Sequence, residues 1–217
     1  FDRDPYIMNL KNGLLNIATM ELRPHTPKCL SMLQLNVAYA PDNTDGSIFK
    51  RYLDDKIPDP ENRLLAQEIL GYAISSFYGA EKWFMLQGGG RSGKGTFLNI
   101  IEEVLGPERV SNVTLQNLGD RFSSSALLGK LANIESDLPS DPIKEKAVAM
   151  LKKCIGRDGI DAEFKGKDKF KFVNKATMIF ACNSKPQNVG DSQNASFWSK
   201  LILLPMPHSD INNIDVN

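Results

Sequence analysis

The sequence contains little of what stabilises secreted or membrane-embedded proteins. Only three cysteines occur among 217 residues, at positions 29, 154 and 182, and their spacing is not that of metal ligands. This scatter fits buried thiols in a reducing compartment better than it fits a disulfide framework. No wholly apolar run is longer than that of residues 178–182, whereas a membrane-spanning helix needs roughly 20 apolar residues. We therefore expect a cytoplasmic protein without a membrane span or signal peptide.

The chain also lacks a net charge, because 26 basic residues balance 26 acidic ones. Composition alone therefore gives no indication of a nucleic-acid partner. The charges are nevertheless uneven, since ten basic and five acidic residues lie between positions 144 and 175. Hydrophobic residues make up 41% of the chain, which is enough for a sizeable core. The chain begins with Phe1 rather than methionine and stops shortly after a strand-like segment, so we expect a C-terminally truncated piece of a longer protein.

The apolar pattern divides the chain into two regions. Residues 1–79 start with short alternating segments, in which Asn12-Gly13 predicts a hairpin turn. From Ser47 the period becomes helical. We expect a small mixed β and helical unit over 1–79, a boundary near Gly79, and a second domain over 80–217. The apolar residues with helical spacing are Ile48, Phe49, Tyr52, Leu53, Leu64, Leu65, Ile69, Leu70, Ile74, Phe77 and Tyr78.

From residue 82 onward, strand-like and helical segments alternate, which is typical of an α/β fold with a central, mostly parallel sheet flanked by helices. Asp141 is well placed as the N-cap of one helix, with Pro142 as its first residue. The five predicted strands cover 83–86, 109–115, 131–134, 176–182 and 201–204. Three helices are predicted in this region. The first starts near Gly93 and ends at Leu105, and the other two cover 118–128 and 142–155.

A glycine-rich segment follows the first of these strands and precedes a helix, which is the context of a phosphate-binding loop. Glycines let consecutive backbone N–H groups converge on phosphates, the helix adds its positive end, and Lys94 supplies a full charge. A nucleoside triphosphate is the implied ligand. The hydroxyl that normally follows the lysine is displaced from Gly95 to Thr96, our candidate magnesium ligand. The predicted nucleotide-binding residues are Gly88, Gly89, Gly90, Arg91, Ser92, Gly93, Lys94, Gly95, Thr96 and Phe97.

Nucleotide hydrolysis on such a sheet needs an acidic group at the tip of a neighbouring strand. Glu135 and Asp137 follow an apolar strand roughly 40 residues beyond the loop and are the candidates, with Asp137 as a second magnesium ligand. Asn183 comes where the fourth strand ends, at the edge of the sheet where ligands bind. Its amide can hydrogen-bond both a γ-phosphate and an attacking water, although an asparagine after a strand is also a common turn residue.

Residues 156–173 alternate in polarity on both sides of a Gly-Lys-Asp turn, which predicts a β-hairpin with one apolar face. Lysines that project from a hairpin can follow a phosphodiester backbone without reading bases. A hairpin that is merely solvated has the same pattern, so this segment alone leaves both interpretations open. The candidate DNA-binding residues are Lys165, Lys167, Lys169 and Lys171.

The order of these motifs resembles that of superfamily 3 helicases, in particular the helicase portion of phage and plasmid primase-helicases and their poxvirus relatives. The resemblance covers nearly the whole chain, and Asp137 matches the main acid of the family better than Glu135 does. The segments that carry it are Phe1-Asp2-x-Asp4-Pro5, Asn9-x-x-Asn12-Gly13, Phe84 to Phe97, Leu128 to Ile134 with Asp137-Leu138-Pro139, Leu151-Lys152-Lys153, Gly156, Asp158, Lys165 to Phe172, and Thr177 to Asn183.

This resemblance implies an AAA+-like P-loop ATPase that uses ATP and Mg²⁺. It further implies a ring, usually hexameric, that encircles single-stranded DNA and unwinds a replication fork. Such domains are commonly fused to a primase or polymerase domain. One position departs from the family pattern, because Lys200 occurs where an arginine finger is typical. Lys200 then acts as a weaker finger, or Arg109, Arg121 or Arg157 substitutes for it, or hydrolysis is slow.

Two other functions fit part of the sequence. Gly93-Lys94-Gly95-Thr96 is also a loop ending of adenylate kinases, although the expected arginine-rich lid has no counterpart here. An oligomeric DNA-binding collar, in which nucleotide only stabilises the ring, is the non-catalytic alternative. Phosphoryl transfer to a nucleoside monophosphate would identify the kinase, and measured turnover separates the helicase from the collar.

Overall fold

The computed structural model describes residues 4–43, 45–75, 79–186 and 195–207. Phe77 and Tyr78 of the predicted helical spacing, and Phe1 and Asp2 of the family-like N-terminal segment, lie outside these ranges. Within them, no helix has both the length and the apolar character needed to cross a bilayer.

The N-terminal region combines a small sheet with two helices. Strands β1 (Ile7–Leu10), β2 (Gly13–Asn16) and β3 (Glu21–Arg23) form an antiparallel sheet in that order. The hairpin predicted from the Asn-Gly pair is confirmed, with Lys11 and Asn12 in the turn and Gly13 as the first residue of β2. Helices α1 (Ser47–Lys56) and α2 (Pro60–Ile74) follow.

The remaining chain builds a five-stranded sheet with helices on its faces, which confirms the predicted α/β architecture. Its elements are β4 (Trp83–Gln87), α3 (Lys94–Leu105), β5 (Val110–Ser111), β6 (Ala132–Glu135), α4 (Glu145–Gly156), β7 (Gly159–Glu163), β8 (Lys169–Val173), β9 (Thr177–Cys182), α5 (Ala195–Trp198) and β10 (Leu201–Pro205). All neighbouring strands of the sheet are parallel, in the order β10-β4-β9-β6-β5. Strands β7 and β8 pair antiparallel in a separate hairpin.

The two faces of the sheet bury different cores, because side chains alternate along each strand. Phe84 of β4 and Ile179 of β9 face a core shared with α3 and with the N-terminal helices. Trp83 and Phe180 face a second core formed with α4 and α5. Residues on both sides of position 79 therefore contribute to one core, while the division into domains 1–79 and 80–217 stays a prediction.

The second predicted strand is shorter than expected. Only Val110–Ser111 of the segment 109–115 pairs with β6. At Val113 the side chain of Asn133 replaces the strand ladder: its Oδ1 accepts from the Val113 N–H, and its Nδ2 donates to the Val113 carbonyl, both at 2.9 Å. The chain leaves the sheet there because an amide side chain already satisfies its backbone.

The helix predicted over 118–128 is absent from this described stretch, which contains a 3-10 turn at Ser123–Leu127. A shorter 3-10 turn at Leu115–Asn117 precedes it. Gly119 lies against α4 so closely that a Cβ there would come 2.7 Å from the Lys146 carbonyl oxygen. This close packing against α4 determines the conformation of the segment, which therefore does not form the helix that the apolar pattern predicts.

Asp141 and Pro142 were expected to begin the next helix, but α4 starts at Glu145 after Lys144. The carbonyl of Pro142 accepts a hydrogen bond from the Gln116 side chain at 3.0 Å. Ile143 is buried in the second core. Packing of Ile143 and this tertiary bond hold the segment extended, so the helix begins three residues later than predicted.

The expectation of buried thiols is correct for Cys154 and Cys182 and wrong for Cys29, which is exposed. Cys29 lies in a 3-10 turn that buries none of its residues. All three cysteines are free.

Candidate functional site

The glycine-rich loop leaves the carboxyl end of β4 and leads directly into α3, as the sequence predicted. Gly93 is the N-cap of α3 and has a φ of 93°, in the left-handed region that favours glycine. Its carbonyl accepts a hydrogen bond from the Tyr52 hydroxyl of α1 at 2.9 Å. The start of α3 is therefore fixed by a contact from the N-terminal region.

Gly88 packs against the backbone that follows β10. A Cβ at this position would lie 2.1 Å from the Met206 carbonyl oxygen and 2.6 Å from the Ser92 Oγ. The Gly88 N–H donates to the Cys182 carbonyl at 3.2 Å. Only glycine fits between these neighbours, so the loop is held against both β9 and the end of β10.

The Lys94 ammonium lies at the centre of the loop. It donates to the carbonyl oxygens of Gly88 and Gly89, at 2.5 and 2.8 Å, and to the Asn183 Oδ1 at 3.2 Å. The residue is only 9% exposed. Burial lowers the pKa of Lys94, whereas the charge of Asp137 acts in the opposite direction. The loop thus concentrates a desolvated cation where polyphosphate oxygens could replace its carbonyl partners.

An open cleft of about 400 Å³ lies beside this lysine. Thr96, the candidate magnesium ligand, is exposed and lines it. Phe97 is instead fully buried in the core, so the structure gives its ring no place in the cleft. The cleft is lined by Lys56, Arg91, Ser92, Gly93, Lys94, Gly95, Thr96 and Ser136.

The two candidate acids have different environments. Glu135, at the end of β6, is 7% exposed, and its Oε2 accepts from the Leu115 N–H at 2.7 Å. Burial raises the pKa of Glu135, the bond from Leu115 lowers it, and the charge of Asp137 raises it further. Asp137 is exposed and interacts electrostatically with Lys94. Asp137 is therefore the acid available to a ligand in solution, whereas Glu135 anchors a neighbouring turn.

The structure separates Lys200 from the phosphate loop. Because β10 runs parallel to β4, its last residue pairs with Gln87 beside the loop, and Lys200 precedes its opposite end. There the Lys200 ammonium pairs with the Glu81 carboxylate at 2.7 Å. Lys94 and Asn183 thus meet within one chain, while Lys200 does not join them.

The predicted hairpin is confirmed as β7 and β8. Its inner face is apolar, since Ile160 and Ala162 are buried. Phe164, at the tip, is 41% exposed and stacks on Phe170 with ring centroids 5.1 Å apart. All four candidate DNA-binding lysines are exposed, two on β8 and two in the connecting turn. The hairpin therefore presents its positive charge to solvent.

Tyr52 and Lys56 bring α1 to the phosphate loop, and the sequence motifs do not indicate either residue as part of the site. Lys56 comes four residues after Tyr52 and three after Leu53, so helical spacing places it on the apolar face of α1. A lysine on an apolar face is a signal that could have been noticed. The contact of Lys56 with the phosphate loop could not be predicted, because no local pattern indicates that α1 packs against Gly93.

Comparisons with known proteins agree with this architecture. Over 213 residues the chain is 22% identical to the putative helicase L207/L206 of Acanthamoeba polyphaga mimivirus, covering 94% of the chain and 22% of that protein. Two structures of the apo C-terminal region of NrS-1 have the same fold. One matches with a TM-score of 0.58 at 15% identity, covering all of this chain and 48% of that one. The other has a TM-score of 0.57 at 19% identity, covering 75% and 38%.

The chain thus spans about a fifth of the mimivirus relative and less than half of the NrS-1 region. Residues 1–58 match the D5 N terminal like domain. Residues 86–195, which include the phosphate loop, Asp137, the hairpin and Asn183, match the family of unknown function DUF5906. This match extends over half of the sequence, and the chain belongs to that family.

Proposed function

We propose that this chain is the nucleotide-hydrolysing motor domain of a DNA helicase, of the superfamily 3 type found in primase-helicases of phages, plasmids and related mobile elements. The observation that carries the proposal is the Lys94 ammonium, held by the loop carbonyls and by Asn183 from a neighbouring strand. This arrangement joins a phosphate-binding cation to a group that can respond to the γ-phosphate. Similarity to a putative helicase supports the same function.

The residues around the cleft fit ATP with Mg²⁺. Magnesium is commonly held by one or two protein oxygens together with substrate phosphates, and the Thr96 hydroxyl and Asp137 carboxylate can supply such oxygens. Within the described ranges, no group of three histidine, cysteine or acidic residues could hold a metal by itself, so a cation here depends on the phosphates. When bound, the cation neutralises phosphate charge. Asp137 would orient the attacking water, and Asn183 would bond the γ-phosphate.

The hairpin would contact single-stranded DNA through its lysine side chains. Lys165, Lys167, Lys169 and Lys171 all face solvent, and their charges need no particular base sequence. Domain 80–217 would carry both the ATPase site and this DNA contact. Domain 1–79 would support assembly of a ring, with a primase or polymerase domain elsewhere in the whole protein. Lys200 would then serve the nucleotide of a neighbouring subunit, since it lies far from the loop of its own chain.

DNA-stimulated ATP hydrolysis tests this function. We expect the assembled protein to hydrolyse ATP faster with single-stranded DNA, and Lys94→Ala and Asp137→Ala to abolish that activity. Lys50→Ala, which removes an exposed lysine of α1, is the matched control and should leave it unchanged. Unaltered hydrolysis in both site variants would refute the assignment. Nucleotide binding without turnover would identify a non-catalytic collar, and phosphate transfer to a nucleoside monophosphate a kinase.

A further inference from the structure

Lys56 is a second lysine at the phosphate cleft, and it comes from outside the phosphate-binding motif. It is the last residue of α1 and lines the cleft together with Lys94 and Thr96. Although it is a lysine, it is only 9% exposed. Lysine is seldom buried to this extent, and here the burial places it in the wall of the phosphate cleft.

The stem of Lys56 packs on the phosphate loop. A Cβ on Gly93 would lie 2.9 Å from the Lys56 Cγ and 3.4 Å from the Tyr52 Cε2. The missing side chain at Gly93 therefore makes room for the Lys56 stem as well as allowing the positive φ. Because the Tyr52 hydroxyl also bonds the Gly93 carbonyl, α1 and the loop form one packed unit. Lys56 cannot move away from the cleft without disturbing these contacts.

One partner of the Lys56 ammonium is an exposed carboxylate. Its Nζ lies 3.0 Å from the Oδ2 of Asp55, whose side chain is 64% exposed. Ion pairs with such exposed carboxylates contribute little stability, because water screens them. A polyphosphate in the cleft offers several negative charges in a less hydrated place, where a lysine hydrogen bond is stronger. Exchanging this one ion pair with Asp55 for a contact with phosphate therefore costs little.

We propose that Lys56 is a second phosphate-binding cation, which makes the cleft selective for nucleoside di- and triphosphates and links nucleotide affinity to α1. The inference rests on the proposed nucleotide site and adds a residue from the N-terminal region to it. Lys94 binds from the loop side, and Lys56 binds from the α1 side of the cleft. A monophosphate, which has fewer oxygens to share, gains little from the second cation.

Equilibrium binding of ATP, ADP and AMP tests the proposal in the full chain. Lys56→Met keeps the apolar stem that packs on Gly93 and removes the charge, whereas Lys56→Arg keeps the charge. We expect Lys56→Met to weaken ATP binding by about tenfold, the effect of losing one charge-assisted hydrogen bond. AMP binding should change little, and Lys56→Arg should retain most of the affinity. Asp55→Asn, which removes one competing carboxylate, should strengthen ATP binding.

The controls separate this inference from the proposed function. Lys50→Met removes a charge from the exposed side of the same helix and should leave every affinity unchanged. Thermal unfolding of each variant reports whether the α1 contacts persist. If Lys94→Ala abolishes ATP binding while Lys56→Met behaves like Lys50→Met, Lys56 has no phosphate role although the nucleotide site stands. If the wild-type chain binds no nucleotide, both the proposed function and this inference fail.

Discussion

The Lys94 ammonium lies 3.2 Å from the Oδ1 of Asn183, so a residue of the phosphate loop and a residue that follows β9 share one hydrogen bond. Strand β9 lies next to β4 in the sheet and runs parallel to it. The carboxyl ends of both strands therefore meet at one edge, where the ligand of an open α/β sheet binds. A γ-phosphate inserted here would contact both residues at once.

Replacing Asn183 should affect the chemical step more than binding. We expect Asn183→Ala to lower the kcat of ATP hydrolysis by about 10²-fold, since one donor to the developing charge is lost. Nucleotide affinity should change little, because Lys94 and the loop N–H groups remain. Steady-state kinetics together with equilibrium nucleotide binding measure the two effects. Asn99→Ala, on the exposed face of α3, is the control, and an equal loss of kcat there would contradict the assignment.

Gly88 should tolerate no side chain. Gly88→Ala would place a methyl group against the Met206 carbonyl, and we expect a loss of about 1–3 kcal/mol in the free energy of unfolding. Nucleotide binding should weaken as well, because the Gly88 carbonyl also holds Lys94. Gly89→Ala is the matched control for stability, since a Cβ there meets no described atom within 4 Å. Urea denaturation compares the two, and equal stabilities would contradict the predicted clash.

Local sequence patterns sufficed for the phosphate loop and for most strands. The loop was predictable because its glycines, Lys94 and the following helix are adjacent in the chain. The sequence could not reveal that the Asn133 side chain ends β5 early, or that Gln116 holds Pro142 outside α4. Lys56 was missed for the same reason. Each of these features depends on a partner distant in sequence, which periodicity does not encode.

Stability should depend on pH through Glu135. Burial raises the pKa of Glu135 above its ordinary value of 4.5, so the folded chain holds this proton more tightly than the unfolded chain does. The free energy of unfolding therefore falls as pH rises from 4.5 through the raised pKa. Glu135→Gln keeps an oxygen acceptor for the Leu115 N–H and lacks the titrating group.

We expect the Glu135→Gln variant to become more stable relative to the wild type as pH increases over this window. Urea denaturation at a series of pH values measures that difference. Glu103→Gln, an exposed position on α3, provides the comparison for a glutamate outside the site. Parallel pH curves for wild type and Glu135→Gln would show that Glu135 titrates alike in the folded and unfolded chains.

The hairpin lysines should determine how salt affects DNA binding. Replacing Lys165, Lys167 and Lys169 by alanine removes three exposed charges, so affinity for single-stranded DNA should fall. The slope of log K against log salt should become shallower by about 2, at roughly 0.7 per lost phosphate contact. Fluorescence anisotropy with an oligonucleotide of mixed sequence measures both. A triple alanine variant at the exposed Lys11, Lys28 and Lys50 is the charge-matched control. Equal salt slopes in both variants would show that the hairpin lysines do not contact the DNA.

If Lys200 serves the nucleotide of a neighbouring subunit, two inactive variants should restore activity to each other. Lys200 lies at the opposite end of the sheet from Lys94 in its own chain, so Lys200→Ala leaves its own phosphate loop intact. In a mixture, a Lys94→Ala subunit would supply Lys200 to the intact loop of a Lys200→Ala subunit. We expect DNA-stimulated ATP hydrolysis to exceed that of either variant alone. Glu81→Gln breaks the ion pair between Glu81 and Lys200 without removing the lysine. This variant should remain active, so it separates the effect of losing the ion pair from the effect of losing Lys200. A mixture with no gain over its components would show that Lys200 does not act between subunits.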